Sequence, residues 1–343
     1  MATLDDTLRR LPKVLLHEHL DGALRPATLF DLARARGLSR PAADATALAR
    51  WFDERAHVGS LPAYLEGFAL TIAAMASPGA LERVAFEAAE DARADGCVLA
   101  EFRCAPHLWE AQGVAAEDAV AALVAGLRRS ALPSGLILCA LRHEDPATSA
   151  RVARLAVAMR DAGVIAFDLA GPEAGHPPSV HAAAFAVARD AGLPITCHAG
   201  EADGAYRVLE AARLGARRIG HGVRLVDALG TALFDEVRSL GLHFEVCPTS
   251  NVCTGAAASL AHHPIRALWD AGIDLSFHTD GPLMAATDMQ REALGLVQVL
   301  GFAPADLATM SARAAASSFM PEADRQRALA AVDAWRFQTA GAA

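Results

Sequence analysis

The 343-residue sequence has almost no lysine, because Lys13 is the single lysine among 31 basic residues and the others are arginines. It has no stretch rich in Lys and Arg, which a nucleic-acid-binding surface would need. It also has no run of about 20 apolar residues, the length of a membrane-spanning helix. The first ten residues are polar and contain no apolar signal core, so we expect a cytoplasmic protein without nucleic-acid or membrane partners.

The six cysteines form no Cys-x-x-Cys pair and lie within apolar segments, which predicts buried, reduced thiols. Hydrophobic residues make up 53% and charged residues 21% of the chain, and the formal net charge is −9. This is the composition of a globular protein that is long enough to bury a sizeable core. We find no linker or repeat and therefore expect one domain over residues 1–343; the oligomeric state stays open.

Short apolar segments of strand character alternate with Ala-rich helical segments along most of the chain. The strand-like segments are Val14–His17, Cys97–Arg103, Leu136–Leu141, Val164–Leu169, Pro194–His198, Arg218–His221, Leu242–Cys247 and Ile273–Phe277. Eight strands that alternate with helices predict an α/β fold of the (β/α)8 TIM-barrel type. The alternative is an open doubly wound sheet, but no Gly-x-Gly-x-x-Gly motif follows the first strand.

A long segment, residues 24–95, separates the first two predicted strands. It is mostly helix-like and contains the aromatic residues Trp51, Phe52, Tyr64 and Phe68. In a barrel this helical insertion would lie on the face where active sites form. It could be a lid over a pocket or additional structural packing, and the sequence leaves both open.

Reactive side chains lie where several predicted strands end. They occur in the segments His17-Glu18-His19, His198-Ala199-Gly200-Glu201, Gly220-His221-Gly222 and His278-Thr279-Asp280-Gly281. The carboxyl ends of barrel strands converge, so we expect these residues to share one site. His17 and His19 are two apart and point to the same side of a strand. With His198 and Asp280 they form a His3Asp set that suits Zn2+ with a position left for water.

Two further residues of these segments suit proton transfer. Glu201 lies three residues beyond His198, and a partly buried carboxyl beside a metal can have a raised pKa and donate a proton near neutral pH. His221 lies between two glycines in a compact loop that faces the same place. The alternative for Glu201 is a carboxylate on a surface loop, and the alternative for His221 is a core histidine that is hydrogen-bonded to the backbone.

The scarcity of lysine bears on the number of metal ions. Barrel hydrolases with two metals commonly bridge them with a carboxylated lysine at the end of the fourth strand. Here that strand ends in Phe167-Asp168-Leu169-Ala170-Gly171, and Lys13 stands at the start of the first strand. Arginine cannot replace lysine in this role, so we expect one metal ion.

The motifs as a set resemble those of the adenosine/adenine deaminase family. The matching segments are Leu11–Gly22, Asp168–Glu173, His198–Glu201, Arg218–Gly222, Cys247–Asn251 and Thr279-Asp280, which occur in the family's order. The resemblance implies a zinc-dependent purine deaminase barrel with one Zn2+ per subunit. The signature of the other zinc deaminase class, His-x-Glu followed by Pro-Cys-x-x-Cys, is absent.

Carried over by position, the resemblance implies a role for each matching residue. The implied zinc ligands are His17, His19, His198 and Asp280. Glu201 would protonate purine N1, while His221 and Asp280 would hold and deprotonate the attacking water. The implied substrate contacts are His19, Asp21 with the ribose 5′-hydroxyl, the N–H of Gly171 with purine N3, and position 281. Asp21 matches the nucleoside-acting branch, since the adenine-acting branch usually has Glu there.

One position departs from the family pattern. The family usually has a second Asp after Asp280, which interacts with purine N7, but this chain has Gly281. Its loss would cost about 1.5–3 kcal/mol, the value of a hydrogen bond to a charged group. His278, where the family usually has Asn, either orients Asp280 or packs inside the barrel.

The sequence therefore predicts hydrolytic deamination of adenosine to inosine and ammonia. Because of Gly281, deamination of adenine or of another modified 6-aminopurine stays an alternative. Two interpretations from other classes are a non-catalytic purine-binding or zinc-stabilised scaffold and a metal hydrolase of amide or ester bonds.

Overall fold

The computed structural model describes residues 3–56, 64–65 and 67–340, and its centre is a barrel of parallel strands. The strands are β1 Lys13–His19, β2 Cys97–Cys104, β3 Ser134–Leu141, β4 Val164–Ala170, β5 Thr196–Ala199, β6 Arg218–His221, β7 His243–Val246 and β8 Asp274–Phe277. All eight segments that the sequence predicts as strands are confirmed, with bounds that differ by at most a few residues.

Two four-stranded sheets, β1-β2-β3-β4 and β5-β6-β7-β8, build the barrel wall. Parallel bridges join them at both seams, between Phe167 and Ile195 and between Glu18 and Asp280. At the second seam the His19 amide donates to the Asp280 carbonyl at 2.7 Å, and the Asp280 amide donates to the His17 carbonyl at 3.0 Å. The predicted (β/α)8 barrel is confirmed, and its closure places the ends of the first and last strands side by side.

The α-helices surround the barrel and cover its ends. They are α1 Leu4–Arg10, α2 Pro26–Ala35, α3 Ala45–Ala56, α4 Phe68–Met75, α5 Pro78–Ala94, α6 Ala116–Arg129, α7 Pro146–Ala158, α8 Ala182–Asp190, α9 Tyr206–Leu214, α10 Ala232–Ser239, α11 Pro248–Cys253, α12 Ile265–Asp270, α13 Pro282–Ala285, α14 Met289–Gln298, α15 Pro304–Ser317 and α16 Glu322–Ala340. Short 3-10 helices cover Leu20–Gly22, Pro106–Gln112, Arg160–Ala162, Pro178–His181, Val223–Ala228 and Leu260–His262.

Local signals explain where the barrel helices begin and end. The Ser77 side chain accepts from the Ala80 amide at the start of α5, and the Asp145 side chain accepts from the Ala147 amide at the start of α7. In both helices the first residue is proline, whose fixed φ suits that position. α9 ends at Gly215 with a φ of 111°, a conformation that favours glycine.

In its described residues the predicted insertion contains helices α2, α3 and α4, followed by α5, which packs against the barrel. Residues 57–63 and 66 of this segment lie outside the described residues. Buried apolar side chains from Leu8 to Trp335 form one continuous core cluster, which supports the proposal of a single domain. Whether the insertion moves as a lid stays a prediction.

Two smaller predictions concern the cysteines and the single lysine. All six cysteines are buried free thiols, as expected. Lys13 is the first residue of β1, and its Nζ donates to the carbonyls of Leu8 at 2.6 Å and Asp95 at 2.8 Å. It therefore has a structural role at the amino end of the barrel, far from the carboxyl ends of the strands. Within the described ranges no helix is both long and apolar enough to cross a membrane.

Candidate active site

Four side chains from β1, β5, β6 and the end of β8 meet at the carboxyl end of the barrel. One nitrogen or oxygen atom from each of His17, His198, His221 and Asp280 lies within 4.8 Å of the other three. All four residues are buried. The structure therefore brings together residues that the sequence places as far apart as positions 17 and 280.

His19 lies at the edge of the same group. Its Nε2 is 3.2 Å from Nε2 of His198 and 3.5 Å from Oδ1 of Asp280. The four-residue group within 4.8 Å contains His221 where the sequence prediction has His19, and both residues are placed to act at this centre. Between His17 and His19, Glu18 points away and accepts a hydrogen bond from the Thr279 hydroxyl at 2.6 Å.

Carboxylates from other strands of the barrel orient two of these imidazoles. Nδ1 of His17 lies 2.8 Å from Oε2 of Glu245, and Nδ1 of His198 lies 3.1 Å from Oδ2 of Asp168. Each bond fixes the ring and leaves Nε2 as the nitrogen that faces the centre. Nε2 of His17 is buried and lies 3.2 Å from Oδ1 of Asp280, but it has no hydrogen-bond partner within the described part of the chain.

Arg103 joins the two orienting carboxylates. Its guanidinium donates to Asp168 at 2.8 Å and to Glu245 at 2.6 Å, and all three side chains are fully buried. Burial opposes the ionisation of Glu245, but Arg103 and Arg218 outweigh it and hold its pKa well below the usual range. Arg218 continues the network to Glu101. An unpaired buried charge is costly, so these ion pairs hold the carboxylates and guanidinium groups beneath the site in their charged forms and in fixed positions.

The same environment keeps His17 and His19 neutral. Burial, with the charge of Arg103 second, lowers the pKa of His17 to about 4. Burial also lowers the pKa of His19 well below its usual value. For Asp280 burial opposes ionisation, but the adjacent His17 and the other nearby imidazoles hold its pKa well below the usual range. Neutral imidazoles and an ionised carboxylate are the forms that bind a metal.

Backbone strain concentrates at this site. His221 has a φ of 62° and Asp280 a φ of 65°, in the left-handed region that few non-glycine residues adopt. In β6 a Cβ at Gly220 would lie 2.9 Å from Cε1 of His17, so only glycine leaves room for that ring. Such outliers persist where the surroundings impose them, which is common at functional sites.

The short helix α11 holds three of the site residues from behind. Ser250 donates to Oδ2 of Asp280 at 2.6 Å, and Asn251 Nδ2 lies 3.0 Å from Nδ1 of His221. Just beyond the helix, the Thr254 hydroxyl donates to Oε1 of Glu201 at 2.9 Å. The segment Cys247–Asn251, quoted above only as a motif, thus positions the groups suited to proton transfer.

Glu173 holds the loop that carries Glu201. Its buried carboxylate accepts the amides of Gly200 at 2.6 Å, Glu201 at 2.9 Å, Ala202 at 2.7 Å and Asp203 at 3.0 Å. Four amides on one carboxylate fix the backbone, so the Glu201 side chain leaves a rigid loop. Oε2 of Glu201 lies 3.6 Å from Nε2 of His221.

A cavity of about 540 Å³ opens directly above these residues. Its floor is polar, and its walls are mostly apolar and come partly from α4 of the insertion. The lining residues are His19, Asp21, Tyr64, Leu65, Phe68, Ala69, Ile72, Ala105, Leu108, Cys139, Leu141, His143, Ala170, Gly171, Pro172, His198, Glu201, His221 and Asp280. A cavity of this size and polarity suits a small, flat organic molecule.

Most of the expected substrate-contacting residues lie around this cavity. Asp21, Gly171 and His19 line it, whereas Gly281, the residue after Asp280, is not among the lining residues of the described part. Burial raises the pKa of Asp21 to about 7, and its Oδ1 has no hydrogen-bond partner among the described residues. His278 is fully buried, accepts the Leu16 amide at 3.1 Å and lies 2.7 Å from the Ser276 hydroxyl. It therefore packs inside the barrel.

Comparison with known proteins agrees with this geometry. The model of the adenosine deaminase family matches residues 12–335. An adenosine deaminase of Mycobacterium tuberculosis is 43% identical over 335 residues, which cover 92% of this chain and 91% of that protein. The chain therefore belongs to the adenosine deaminase family, whose members are hydrolases that act on C–N bonds of cyclic amidines.

Two solved structures show the same fold. The adenine deaminase of Arthrobacter aurescens superposes with a TM-score of 0.86 at 28% identity, over 95% of this chain and 99% of that one. An amidohydrolase of Burkholderia ambifaria, solved with bound Zn, gives a TM-score of 0.86 at 25% identity, over 99% of this chain and 96% of that one.

Sequence reasoning missed the residues that position others. It assigned no role to Arg103, Asp168 and Glu245, although charged residues inside apolar strands were a visible signal. Ser250, Asn251 and Glu173 lay within motifs that were quoted without a role. His143 lines the cavity and carried no signal in the sequence.

Proposed function

We propose that this protein deaminates adenosine to inosine and ammonia by hydrolysis, with one zinc ion per subunit. The observation that carries the proposal is the placement of the buried His/Asp group at the floor of a purine-sized cavity, with Glu201 beside it. The similarity to an adenosine deaminase over more than nine tenths of both chains supports the substrate.

The residues present fit a zinc ion. We propose His17, His19, His198 and Asp280 as its ligands, three nitrogens and one oxygen that match the preference of Zn2+. The unpaired Nε2 of His17 and the carboxylate-bound Nδ1 atoms of His17 and His198 support this choice. When bound, zinc lowers the pKa of a coordinated water towards neutrality. The absence of a second lysine in the chain supports one ion rather than a lysine-bridged pair.

The protein's own groups divide the proton transfers of the reaction. His221 and Asp280 hold the attacking water and accept its proton while its oxygen bonds to purine C6. Glu201 gives a proton to purine N1, where negative charge develops. The amino group then takes the proton held by His221 and Asp280, and the C6–N bond breaks as ammonia leaves. The hydroxyl at C6 gives up its proton, which restores the acid form of Glu201, and a 6-oxopurine remains. Ser250, Asn251 and Thr254 keep these three side chains in position.

A nucleoside is the proposed substrate because of Asp21. Its carboxyl lines the cavity with an unpaired oxygen, which suits a sugar hydroxyl. The second candidate is adenine or another 6-aminopurine, which Gly281 and the likeness to an adenine deaminase favour. We expect Asp21→Asn to lower kcat/KM for adenosine about tenfold, the effect of one lost hydrogen bond, and to change that for adenine less than twofold.

The direct test is an assay of the zinc-loaded protein with a panel of aminopurines, followed by ammonia release and loss of ultraviolet absorbance. We expect adenosine to give the highest kcat/KM. If the protein does not deaminate adenosine but deaminates another aminopurine, the second candidate is favoured. Glu201→Gln should lower kcat by about a thousandfold with unchanged zinc content, whereas a scaffold would keep its properties.

A further inference from the structure

Tyr64 places a buried hydroxyl in the wall of the cavity, and no role has been assigned to it. The side chain lines the cavity, and the residue is only 5% exposed. Its Oη has no hydrogen-bond partner among the described residues. A buried unpaired hydroxyl costs roughly 1–3 kcal/mol, so its retention in a ligand cavity indicates that a ligand completes it.

The hydroxyl lies where a side chain at position 281 would begin. A Cβ built on Gly281 would be 3.3 Å from Oη of Tyr64 and 3.4 Å from Cβ of Met284. The φ of Gly281 is −141°, so its backbone does not require glycine. The missing side chain instead leaves room for the Tyr64 hydroxyl next to Asp280.

The surroundings fix this hydroxyl as a donor. Burial raises the pKa of Tyr64 well above its usual value, and the nearby negative charge of Asp280 acts in the same direction. The Ser250 hydroxyl lies close by and donates to Asp280 at 2.6 Å, but no hydrogen bond joins it to Oη of Tyr64 within the described ranges. The Tyr64 ring packs against Phe68 with centroids 6.1 Å apart. The O–H is therefore protonated, held from one side and available to an acceptor in the cavity.

We propose that Tyr64 is a specificity-determining residue whose hydroxyl donates a hydrogen bond to N7 of the purine. The inference rests on the proposed function, which places purine C6 beside Asp280 and N1 beside Glu201. In a purine, N7 lies on the C5 side of C6, opposite to N1, and it is an acceptor. The Tyr64 hydroxyl lies beside position 281, where the side chain expected to interact with N7 would stand, and Gly281 leaves the space for it.

The test is a set of dissociation constants measured by calorimetry on the zinc-loaded Glu201→Gln protein, which binds without turning the ligand over. Adenosine and 7-deazaadenosine, which has a C–H at position 7, are compared with and without Tyr64→Phe. We expect Tyr64→Phe to weaken adenosine binding about tenfold and 7-deazaadenosine binding less than twofold. An equal loss for both ligands, or no loss for either, would overturn the proposal.

The second tyrosine of the chain supplies a matched control. Tyr206 is half exposed, and its hydroxyl donates to Asp203 at 2.8 Å outside the cavity. Tyr206→Phe should leave the dissociation constants of both ligands unchanged. Deamination of adenosine by the wild-type protein separates the two proposals. If the wild-type protein deaminates adenosine but Tyr64→Phe weakens the binding of both ligands equally, only the role of Tyr64 is contradicted. If the protein neither binds nor deaminates adenosine, the proposed function is contradicted, and this inference is contradicted with it.

Discussion

The floor and the wall of the cavity are built on different principles. On the floor, the orienting nitrogens of His17 and His198 are bonded to carboxylates, and Arg103 neutralises both carboxylates. On the wall, polar atoms are few, and two of them, Oη of Tyr64 and Oδ1 of Asp21, have no partner among the described residues. The barrel thus completes the proposed metal centre by itself, while the wall leaves its polar groups for a ligand.

This difference separates reactivity from selectivity. Groups proposed to bind zinc and to move protons lie at the strand ends of the closed barrel, with positions that strands fix. Groups proposed to recognise the substrate lie on the insertion and on loops, where substitutions leave the barrel intact. We therefore expect floor substitutions to alter metal content, kcat and stability, and wall substitutions to alter KM.

The largest expected effect distinguishes His19 from His221, the two histidines that could each be the third histidine ligand of the metal. Under the proposed assignment, His19→Asn lowers the zinc content and the activity together. His221→Asn keeps one zinc per chain but lowers kcat by roughly a hundredfold or more, since it removes a proton acceptor. Zinc analysis beside steady-state kinetics checks both variants. If His221→Asn loses zinc and His19→Asn keeps one zinc per chain, the assignment is wrong: His221 is then the ligand and His19 is not.

The next effect concerns the network beneath the floor. Arg103→Met leaves Asp168 and Glu245 buried without Arg103, which should lower the free energy of unfolding by about 3–5 kcal/mol. Zinc affinity should fall by about tenfold or more, because both orienting carboxylates lose their partner. Chemical denaturation and chelator competition measure these changes.

A surface pair gives the control for that prediction. Arg25 donates to Asp91 at 2.6 Å, but both side chains are about half exposed. Arg25→Met should therefore cost less than about 1 kcal/mol and leave zinc affinity unchanged. Equal losses for the two variants would show that the floor is not specially stabilised.

A third prediction uses pH to probe the support of α11. Glu292 is buried and accepts from the Thr249 amide at 3.3 Å, and burial raises its pKa from 4.5 to about 7. Between these pH values the folded state keeps a proton that the unfolded state releases, so stability falls as pH rises and then levels off. Glu292→Gln should remove this part of the decline and gain on the order of 2 kcal/mol relative to wild type between about pH 5 and pH 8. Parallel denaturation profiles for the two proteins would contradict the buried-acid assignment.

The smallest expected effect lies on the wall. Phe68 lines the cavity from α4, and Phe68→Ala should raise KM for adenosine about tenfold through lost apolar contact. Because the floor is unaffected, kcat and zinc content should stay within twofold. Phe337→Ala, at an aromatic residue that is 84% exposed, is the control. A large fall in kcat for Phe68→Ala would mean that wall and floor are coupled.

The sequence predicted the barrel and the members of the site because both leave local signals. Strand six was predicted with the bounds Arg218–His221 that the structure has, and reactive residues at strand ends indicated one shared site. Contacts between distant segments left no such signal. Nothing in the sequence pairs Arg103 with Glu245, or Tyr64 with Gly281, because those contacts depend on how the closed barrel and the insertion bring them together.

The central claim, a single-zinc centre that deaminates adenosine, has one direct test. Zinc is added stepwise to chelator-stripped protein, and the adenosine deamination rate is plotted against zinc per chain. We predict a rate that rises linearly and levels off at one zinc per chain, as expected for a chain without a bridging lysine. A plateau at two zinc ions per chain, or a fully loaded protein that leaves adenosine unchanged, would contradict the account.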